Sequence, residues 1–106
     1  MKKIKSFDVI IVGGGLAGLT SAIHLSKFKK QVLVIEKQSY PKHKVCGEYI
    51  SNEVIPYLNS LEIDPIKEGA KKINRVHVSS INGSLIKGDL PLGGFGMSRY
   101  FFDNLL

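Results

Sequence analysis

The sequence predicts an α/β fold that begins with a strand, a helix and a second strand, and three observations carry this prediction. A short apolar run, Val9–Val12, ends in glycines. From Leu16 the apolar residues follow helical spacing. A second run, Gln31–Ile35, is apolar after its first residue and ends at Glu36. Uninterrupted apolar runs of this length are typical of parallel strands buried on both faces. We therefore expect a βαβ core over residues 5–37.

The helix of this core is predicted from its apolar stripe and from small residues on its turns. The stripe consists of Leu16, Leu19, Ala22, Ile23 and Leu25. Small side chains such as Ala17 and Gly18 allow a helix to lie close to a sheet. Lys27, Lys29 and Lys30 follow near its end, where positive charge is favoured by the helix dipole.

A loop and a helix are predicted within residues 38–63. The segment Lys37–Gly47 is polar and is typical of a loop. Ser51 is a candidate N-cap for a helix, whose apolar stripe consists of Val54, Ile55, Leu58 and Leu61. Pro56 lies inside this helix, although a proline is well tolerated only in a first turn.

A β-hairpin is predicted over residues 72–88. Ile73, Val76 and Val78 indicate its first strand, and Ser84–Lys87 its return. The dipeptide Asn82-Gly83 between them is typical of a two-residue hairpin turn.

The last segment, residues 89–106, is predicted as a loop followed by a helix. Asp89–Met97 holds three glycines and a proline, which favours a loop, and Ser98 is a candidate cap for a helix over Arg99–Leu106. This helix carries large apolar residues, Phe101, Phe102, Leu105 and Leu106. We expect them to pack against parts of a longer parent chain; the alternative is that the helix docks on the strands already present.

The composition excludes several classes of protein. A length of 106 residues suits one domain and argues against a complete enzyme with its own substrate domain. The net charge is +6, but the basic residues are mostly dispersed and aromatic residues do not alternate with them, so we expect no nucleic-acid partner. The single cysteine excludes a disulfide framework and a cysteine-rich zinc site, and it suits a cytoplasmic location.

Two further absences bear on function. No pair of histidines or carboxylates has metal-ligand spacing, so we expect no metal. No apolar stretch approaches the roughly 18 residues of a membrane-spanning helix, so we expect no transmembrane segment.

The strongest functional motif is Gly13-Gly14-Gly15-Leu16-Ala17-Gly18, which follows a strand and opens a helix. In this context Gly13 permits a tight turn, Gly15 lets the backbone approach a pyrophosphate, and Gly18 lets the helix lie close to the strand. The helix N-terminus adds unpaired amide donors and the positive end of a dipole. The motif therefore predicts binding of a dinucleotide.

Glu36 completes this dinucleotide motif. It stands at the end of the second strand, where a carboxylate can accept hydrogen bonds from ribose hydroxyls. Its charge would repel a ribose 2′-phosphate, so we do not expect the bound adenosine to be that of NADP. A glycine-rich turn kept only for packing would explain neither Gly14 nor Glu36.

These residues resemble the adenosine-binding half of the FAD-dependent oxidoreductases, and they imply a Rossmann-like FAD-binding unit. The sequence departs from the family at Lys29, where a glycine is common. We expect Lys29 to adopt a left-handed backbone at a cost of about 1 kcal/mol.

Two more segments extend the resemblance over nearly the whole chain. Lys42–Ser51 contains a basic loop followed by Cys-Gly, and Gly96–Leu106 contains an Arg-x-x-x-Asp-x-x-Leu helix start. The first is similar to the geranylgeranyl reductase branch of the p-hydroxybenzoate hydroxylase-like flavoproteins, and the second is similar to a helix start of that superfamily. The resemblance implies an incomplete portion of a larger FAD/NAD(P)-binding fold, inactive on its own.

The resemblance also implies a cofactor, substrates and site residues. The cofactor would be FAD, the electron donor NAD(P)H, and the substrate an isoprenoid or aromatic small molecule. The glycine-rich segment would bind the FAD pyrophosphate, Glu36 the adenosine ribose, and Lys37 would lie near the adenosine. The residues that would line the flavin approach are Lys44, Cys46 and Gly47.

Arg99 would pair with the FAD phosphates or ribose, because arginine is a bidentate partner for phosphate. The alternative is an ordinary surface charge. For Cys46 the alternative to a role near the flavin is a small buried hydrophobic residue.

Two other functions remain open on the sequence. The NAD-binding domain of a classical dehydrogenase shares the glycine fingerprint, but it leaves the Cys46-Gly47 segment and Arg99 unexplained. A stand-alone nucleotide-binding or interaction module would use the apolar end near Phe101 and Leu105 as a partner surface.

Overall fold

The computed structural model describes residues 3–45 and 47–106. The described residues divide into two compact units. The first takes in the residues up to Lys42 together with Phe102–Leu106, and the second runs from His43 to Phe101.

The first unit contains the predicted βαβ core. Strand β1 spans Val9–Val12, helix α1 spans Leu16–Lys27, and strand β2 spans Val32–Ile35. The two strands pair in parallel, with Val9 opposite Val32 and Val12 opposite Ile35. The two strands and the helix predicted from apolar periodicity are therefore confirmed. The carboxyl ends of β1 and β2 lie side by side.

The expectation that both strands are buried on both faces is wrong for the described residues. Strand β1 alternates between half-buried and exposed positions, and Ile10 and Val12 are 58% and 82% exposed. The reason is that α1 covers only one face: the side chain of Ile11 lies next to Gly18 of the helix. Ile35 at the end of β2 is exposed as well.

The turn between α1 and β2 confirms the expected backbone strain. Lys29 has a φ of 59°, in the left-handed region that favours glycine. Its amide donates to the carbonyl of Ser26 at 2.9 Å, so the turn that ends the helix holds this conformation.

In the second unit, residues 49–60 form a short strand and short helices. Strand β3 spans Tyr49–Ser51, a 3₁₀ turn follows over Asn52–Val54, and α2 spans Ile55–Ser60. The predicted N-cap is confirmed, because the side chain of Ser51 accepts from the amide of Glu53, although it caps the 3₁₀ turn. Pro56 lies in the first turn of α2, where its missing N–H is tolerated.

The predicted hairpin is present, but its turn and its second strand differ from expectation. Strand β4 spans Lys71–Ser79 and strand β5 spans Leu85–Gly96. The loop has three residues rather than two, because Ser80 and Ser84 still bond across it at 2.9 Å. Gly83 has a φ of +86°, as expected where a glycine closes a three-residue hairpin loop.

Asp89–Met97 was expected to be a loop, and this expectation is wrong. Residues up to Gly96 belong to β5, the central strand of an antiparallel sheet ordered β3-β5-β4. A Cβ on Gly94 would stand 2.5 Å from the carbonyl oxygen of Ile50, so glycine is needed for close approach of β3. Pro91 lies where the pairing with β4 shifts register, between Ile73 and Arg75. Prolines and glycines are tolerated at such irregularities.

Helix α3 spans Arg99–Leu105, close to the predicted range. The expected side-chain cap by Ser98 is wrong. The Ser98 hydroxyl is buried and has no hydrogen-bond partner among the described residues, whereas the Ser98 carbonyl accepts a hydrogen bond from the amide of Phe101. Phe102 is only 5% exposed and so is already buried within the described chain, while Phe101 is 63% exposed. No helix in the described ranges is both long and apolar enough to cross a bilayer.

Candidate functional site

The glycine-rich loop of the first unit has the geometry that its sequence predicts. Gly13 has a φ of +109°, and its amide donates to the carbonyl of Ile35 at 2.8 Å. Apart from Gly13 and its two chain neighbours, no heavy atom of the described residues lies within 4 Å of the position that a Cβ on Gly13 would take, so the space there is open. A Cβ on Gly18 would overlap the carbonyl oxygen of Gly13, so the helix and the strand end approach as closely as the motif requires.

The N-terminus of α1 is available to an anion. Gly15 is its N-cap and offers no side chain, and the first turn, which begins with Leu16 and Ala17, carries no acidic residue. The first amides of a helix have no partner within the helix, and the dipole makes that end positive. A phosphate would find donors and no opposing carboxylate on this turn.

Glu36 is held by the glycine loop itself. The amide of Gly14 donates to its Oε2 at 2.8 Å, and the amide of Gln38 donates to its Oε1 at 3.0 Å. The ammonium of Lys42 lies 2.8 Å from the same Oε2. These contacts fix the carboxylate at the shared carboxyl end of β1 and β2.

The three donors also stabilise the ionised form of this carboxyl group. The hydrogen bond from Lys42 first, and then those from the amides of Gly14 and Gln38, lower the pKa of Glu36 from 4.5 to about 2. Glu36 is therefore ionised at neutral pH. A carboxylate has about four acceptor positions, so a position on Oε1 remains for a hydroxyl donor.

Tyr40 and Lys42, for which the sequence predicts no site role, complete the site of the first unit. Tyr40 donates its hydroxyl to the carbonyl of Gly14, and Lys42 pairs with Glu36 and also lies 5.3 Å from the centre of the Tyr40 ring. No periodicity marks them, because both lie in a polar loop. Both stand shortly after the acid that ends β2, and Lys42 also begins the basic loop of the family resemblance.

The remaining predicted residues are placed as follows. Lys37 is exposed in the first unit and Lys44 is exposed in the second. Cys46 lies outside the described residues. In the second unit Gly47 has a φ of +88°, and a Cβ on it would stand 3.0 Å from Nη1 of Arg99. The structure thus brings Gly47 and Arg99 together.

Arg99 is only 6% exposed. The alternative that it is an ordinary surface charge is therefore wrong. Burial of a guanidinium is unusual unless the group is paired, and Arg99 does have an interaction partner in the described chain.

A cavity of about 580 Å³ also lies in the second unit. Its walls include Ile55 and Pro56 from α2 and Leu90–Gly94 from the irregular part of β5. None of the predicted site residues that the structure describes lines it.

Comparisons with known proteins show similarity to flavoproteins. Residues 8–46 match the family described as FAD dependent oxidoreductase. The chain is 34% identical over 97% of its length to digeranylgeranylglycerophospholipid reductase 1 of Methanothermobacter thermautotrophicus, and it covers 27% of that relative. It is 31% identical over its whole length to a 1H-pyrrole-2-carbonyl-[peptidyl-carrier protein] brominase of Pseudoalteromonas luteoviolacea, again covering 27%.

Solved structures show the same fold. The structure of the flavin-dependent brominase Bmp2 superposes with a TM-score of 0.78 and 24% identity, over 93% of this chain and 25% of that one. The chain thus spans about a quarter of these relatives. These similarities do not favour the alternative of a classical NAD-dependent dehydrogenase domain. Residues 8–46 therefore resemble the FAD-dependent oxidoreductases, and FAD is the cofactor that this similarity implies.

Proposed function

We propose that this chain binds the adenosine diphosphate half of FAD in a flavin-dependent oxidoreductase. Gly13–Gly18 would hold the pyrophosphate and Glu36 the adenosine ribose. The observation that carries the proposal is the 2.8 Å hydrogen bond from Gly14 to Glu36, because it joins the phosphate-binding loop to a fixed, ionised acceptor.

The residues present fit this group. The open space at Gly13 and the uncapped start of α1 suit a diphosphate. Oε1 of Glu36, which receives the amide of Gln38, retains a position for a ribose hydroxyl. When bound, the flavin supplies hydride transfer, and the protein supplies binding and orientation.

We also propose contacts with the cofactor for the other predicted residues. Lys37 would lie near the adenosine, and Lys44, Cys46, Gly47 and Arg99 would contact the flavin cofactor. The burial of Arg99 beside Gly47 supports a specific role for this pair. For the intact protein we propose NAD(P)H as the electron donor. We also propose an isoprenoid or aromatic substrate, because the names of the reductase and of the pyrrole brominase contain such groups.

The test is the FAD affinity of the intact apoprotein, measured by quenching of flavin fluorescence. Glu36→Gln keeps the shape of the side chain and removes its charge, so the dissociation constant of FAD should rise roughly tenfold or more. The matched control is Glu68→Gln, an exposed glutamate in the second unit, which should leave the affinity unchanged. Unchanged FAD binding in Glu36→Gln would remove the assigned ribose contact.

A second measurement tests the choice of cofactor. The purified intact protein should be yellow and should release FAD on denaturation. A colourless protein that takes up NAD but not FAD would contradict the proposal and favour a nicotinamide enzyme.

A further inference from the structure

The polar contacts around Gly14 form a closed ring of four residues. The amide of Gly14 donates to Glu36 at 2.8 Å, and its carbonyl accepts from Tyr40. Lys42 pairs with Glu36 at 2.8 Å and lies 5.3 Å from the Tyr40 ring centre. Both polar groups of Gly14 are thus engaged by the acid and by the loop that follows it.

We propose that Tyr40 and Lys42 are positioning residues, which hold the Gly14 peptide and the Glu36 carboxylate ready for the ribose hydroxyls of an adenine nucleotide. The inference rests on the proposed function and deepens it. It assigns part of nucleotide recognition to the loop after β2, in addition to the glycine motif.

Burial and charge support this role for Lys42. The side chains of Lys42 and Glu36 are only 17% and 14% exposed, so the pair is not an ordinary solvated surface contact. A carboxylate held by a charged donor has already lost its rotational freedom before a ligand arrives. Groups that are fixed in advance bind more tightly, because less conformational entropy is lost on binding.

The packing of Tyr40 explains a glycine that the dinucleotide motif does not require. The Gly-x-Gly-x-x-Gly pattern leaves its second position free, and Gly14 occupies it. A Cβ on Gly14 would overlap the Tyr40 hydroxyl and would lie 3.1 Å from the Cβ of Glu36. Packing against Tyr40 and Glu36 therefore requires a glycine at position 14, which corrects the expectation that packing does not explain Gly14.

A different role for Lys42 is direct contact with a phosphate, and the two roles predict different ligand dependence. If Lys42 acts through Glu36, its loss weakens only ligands that carry ribose hydroxyls. If it contacts a phosphate, its loss weakens every ligand with the same diphosphate.

The experiment uses the intact apoprotein and two probes, ADP and 2′,3′-dideoxy-ADP, in calorimetric titrations. Lys42→Met should weaken ADP binding about tenfold and leave the dideoxy analogue nearly unchanged. Lys42→Arg should restore most of the ADP affinity, since it keeps the charge. Tyr40→Phe removes one hydroxyl with little risk to folding and should also weaken ADP selectively.

The control is Lys67→Met, because Lys67 also pairs with a carboxylate, Asp64, at 3.9 Å, but is 83% exposed. It should change neither affinity. Equal weakening of both probes by Lys42→Met, or no change with either, would overturn the positioning role.

Glu36→Gln separates failure of this inference from failure of the proposed function. If Glu36→Gln does not weaken ADP relative to the dideoxy analogue, the ribose contact itself is wrong. If Glu36→Gln weakens ADP selectively while Lys42→Met and Tyr40→Phe do not, only the positioning role is wrong.

Discussion

The amide of Gly14 and the carboxylate of Glu36 meet at 2.8 Å although 22 positions separate them along the chain. Parallel pairing of β1 and β2 causes this, because Val12 lies opposite Ile35 and the residues that follow leave the sheet at the same edge. Ligands of open α/β sheets bind outside this edge. The contact is therefore a direct product of the βαβ topology.

The lowered pKa of Glu36 predicts a pH dependence of stability. The folded value of about 2 lies below the ordinary 4.5, so the stabilising effect of the ionised carboxylate is complete above about pH 4.5. It is lost as the pH falls through the folded pKa. The free energy of unfolding in urea, measured on the intact protein at pH 6, 4 and 3, should fall as the pH falls. In the Glu36→Gln variant it should fall by less. Equal acid sensitivity in both proteins would contradict the prediction.

Gly18→Ala should destabilise the first unit. The new Cβ would overlap the carbonyl oxygen of Gly13, which is backbone and cannot rotate away. We expect a loss of about 1–3 kcal/mol and weaker FAD binding, measured by thermal unfolding with and without FAD. The matched control is Gly88→Ala, whose Cβ would meet only the Val76 side chain at 3.5 Å, an ordinary contact. A comparable loss in both variants would show that the overlap is not the cause.

Lys29→Gly should stabilise the turn before β2. Lys29 has a φ of 59°, and glycine removes a left-handed backbone cost of about 1 kcal/mol, partly offset by the larger entropy of the unfolded glycine chain. Thermal unfolding should show an equal or higher midpoint. Lys30→Gly, at a position without a positive φ, should lower the midpoint. A lower midpoint for Lys29→Gly as well would argue against the strained backbone.

Phe95→Ala should strongly destabilise the second unit, because this side chain is 1% exposed near the end of β5, where β5 pairs with β3. Removing a buried phenylalanine costs about 3–5 kcal/mol. Phe101→Ala is the matched change at a side chain that is 63% exposed, and we expect a much smaller effect. The midpoints of chemical unfolding give the comparison, and similar losses would place Phe101 in a buried contact.

The elements that the sequence predicts are those with local signals. The βαβ core follows from two apolar runs, a helical stripe and the glycines between them, and Lys29 follows from its place in the turn. The sequence predicts only the first part of β5, because Pro91, Gly93 and Gly94 in the rest are local breakers, whereas their role is to admit β3 and to accommodate a register shift. Such partners are distant in sequence and leave no local pattern.

The candidate site divides in the same way. Gly13, Gly18 and Glu36 stand at motif positions and could be found from spacing alone. Tyr40 and Lys42 could not, since only the folded loop brings them to Gly14 and Glu36. The buried state of Arg99 also depends on tertiary packing and not on its neighbours in sequence.

The strand order β3-β5-β4 has a consequence for self-association. An open sheet edge can recruit a strand from another molecule and start aggregation. Here one outer strand, β3, has only three residues, and the other, β4, carries Lys71, Lys72 and Arg75. Short edges and clustered positive charge both disfavour such pairing. The charges therefore disfavour pairing at β4, whereas residues 85–89 of β5 pair with β4 alone among the described strands and keep an open edge on the side of β3.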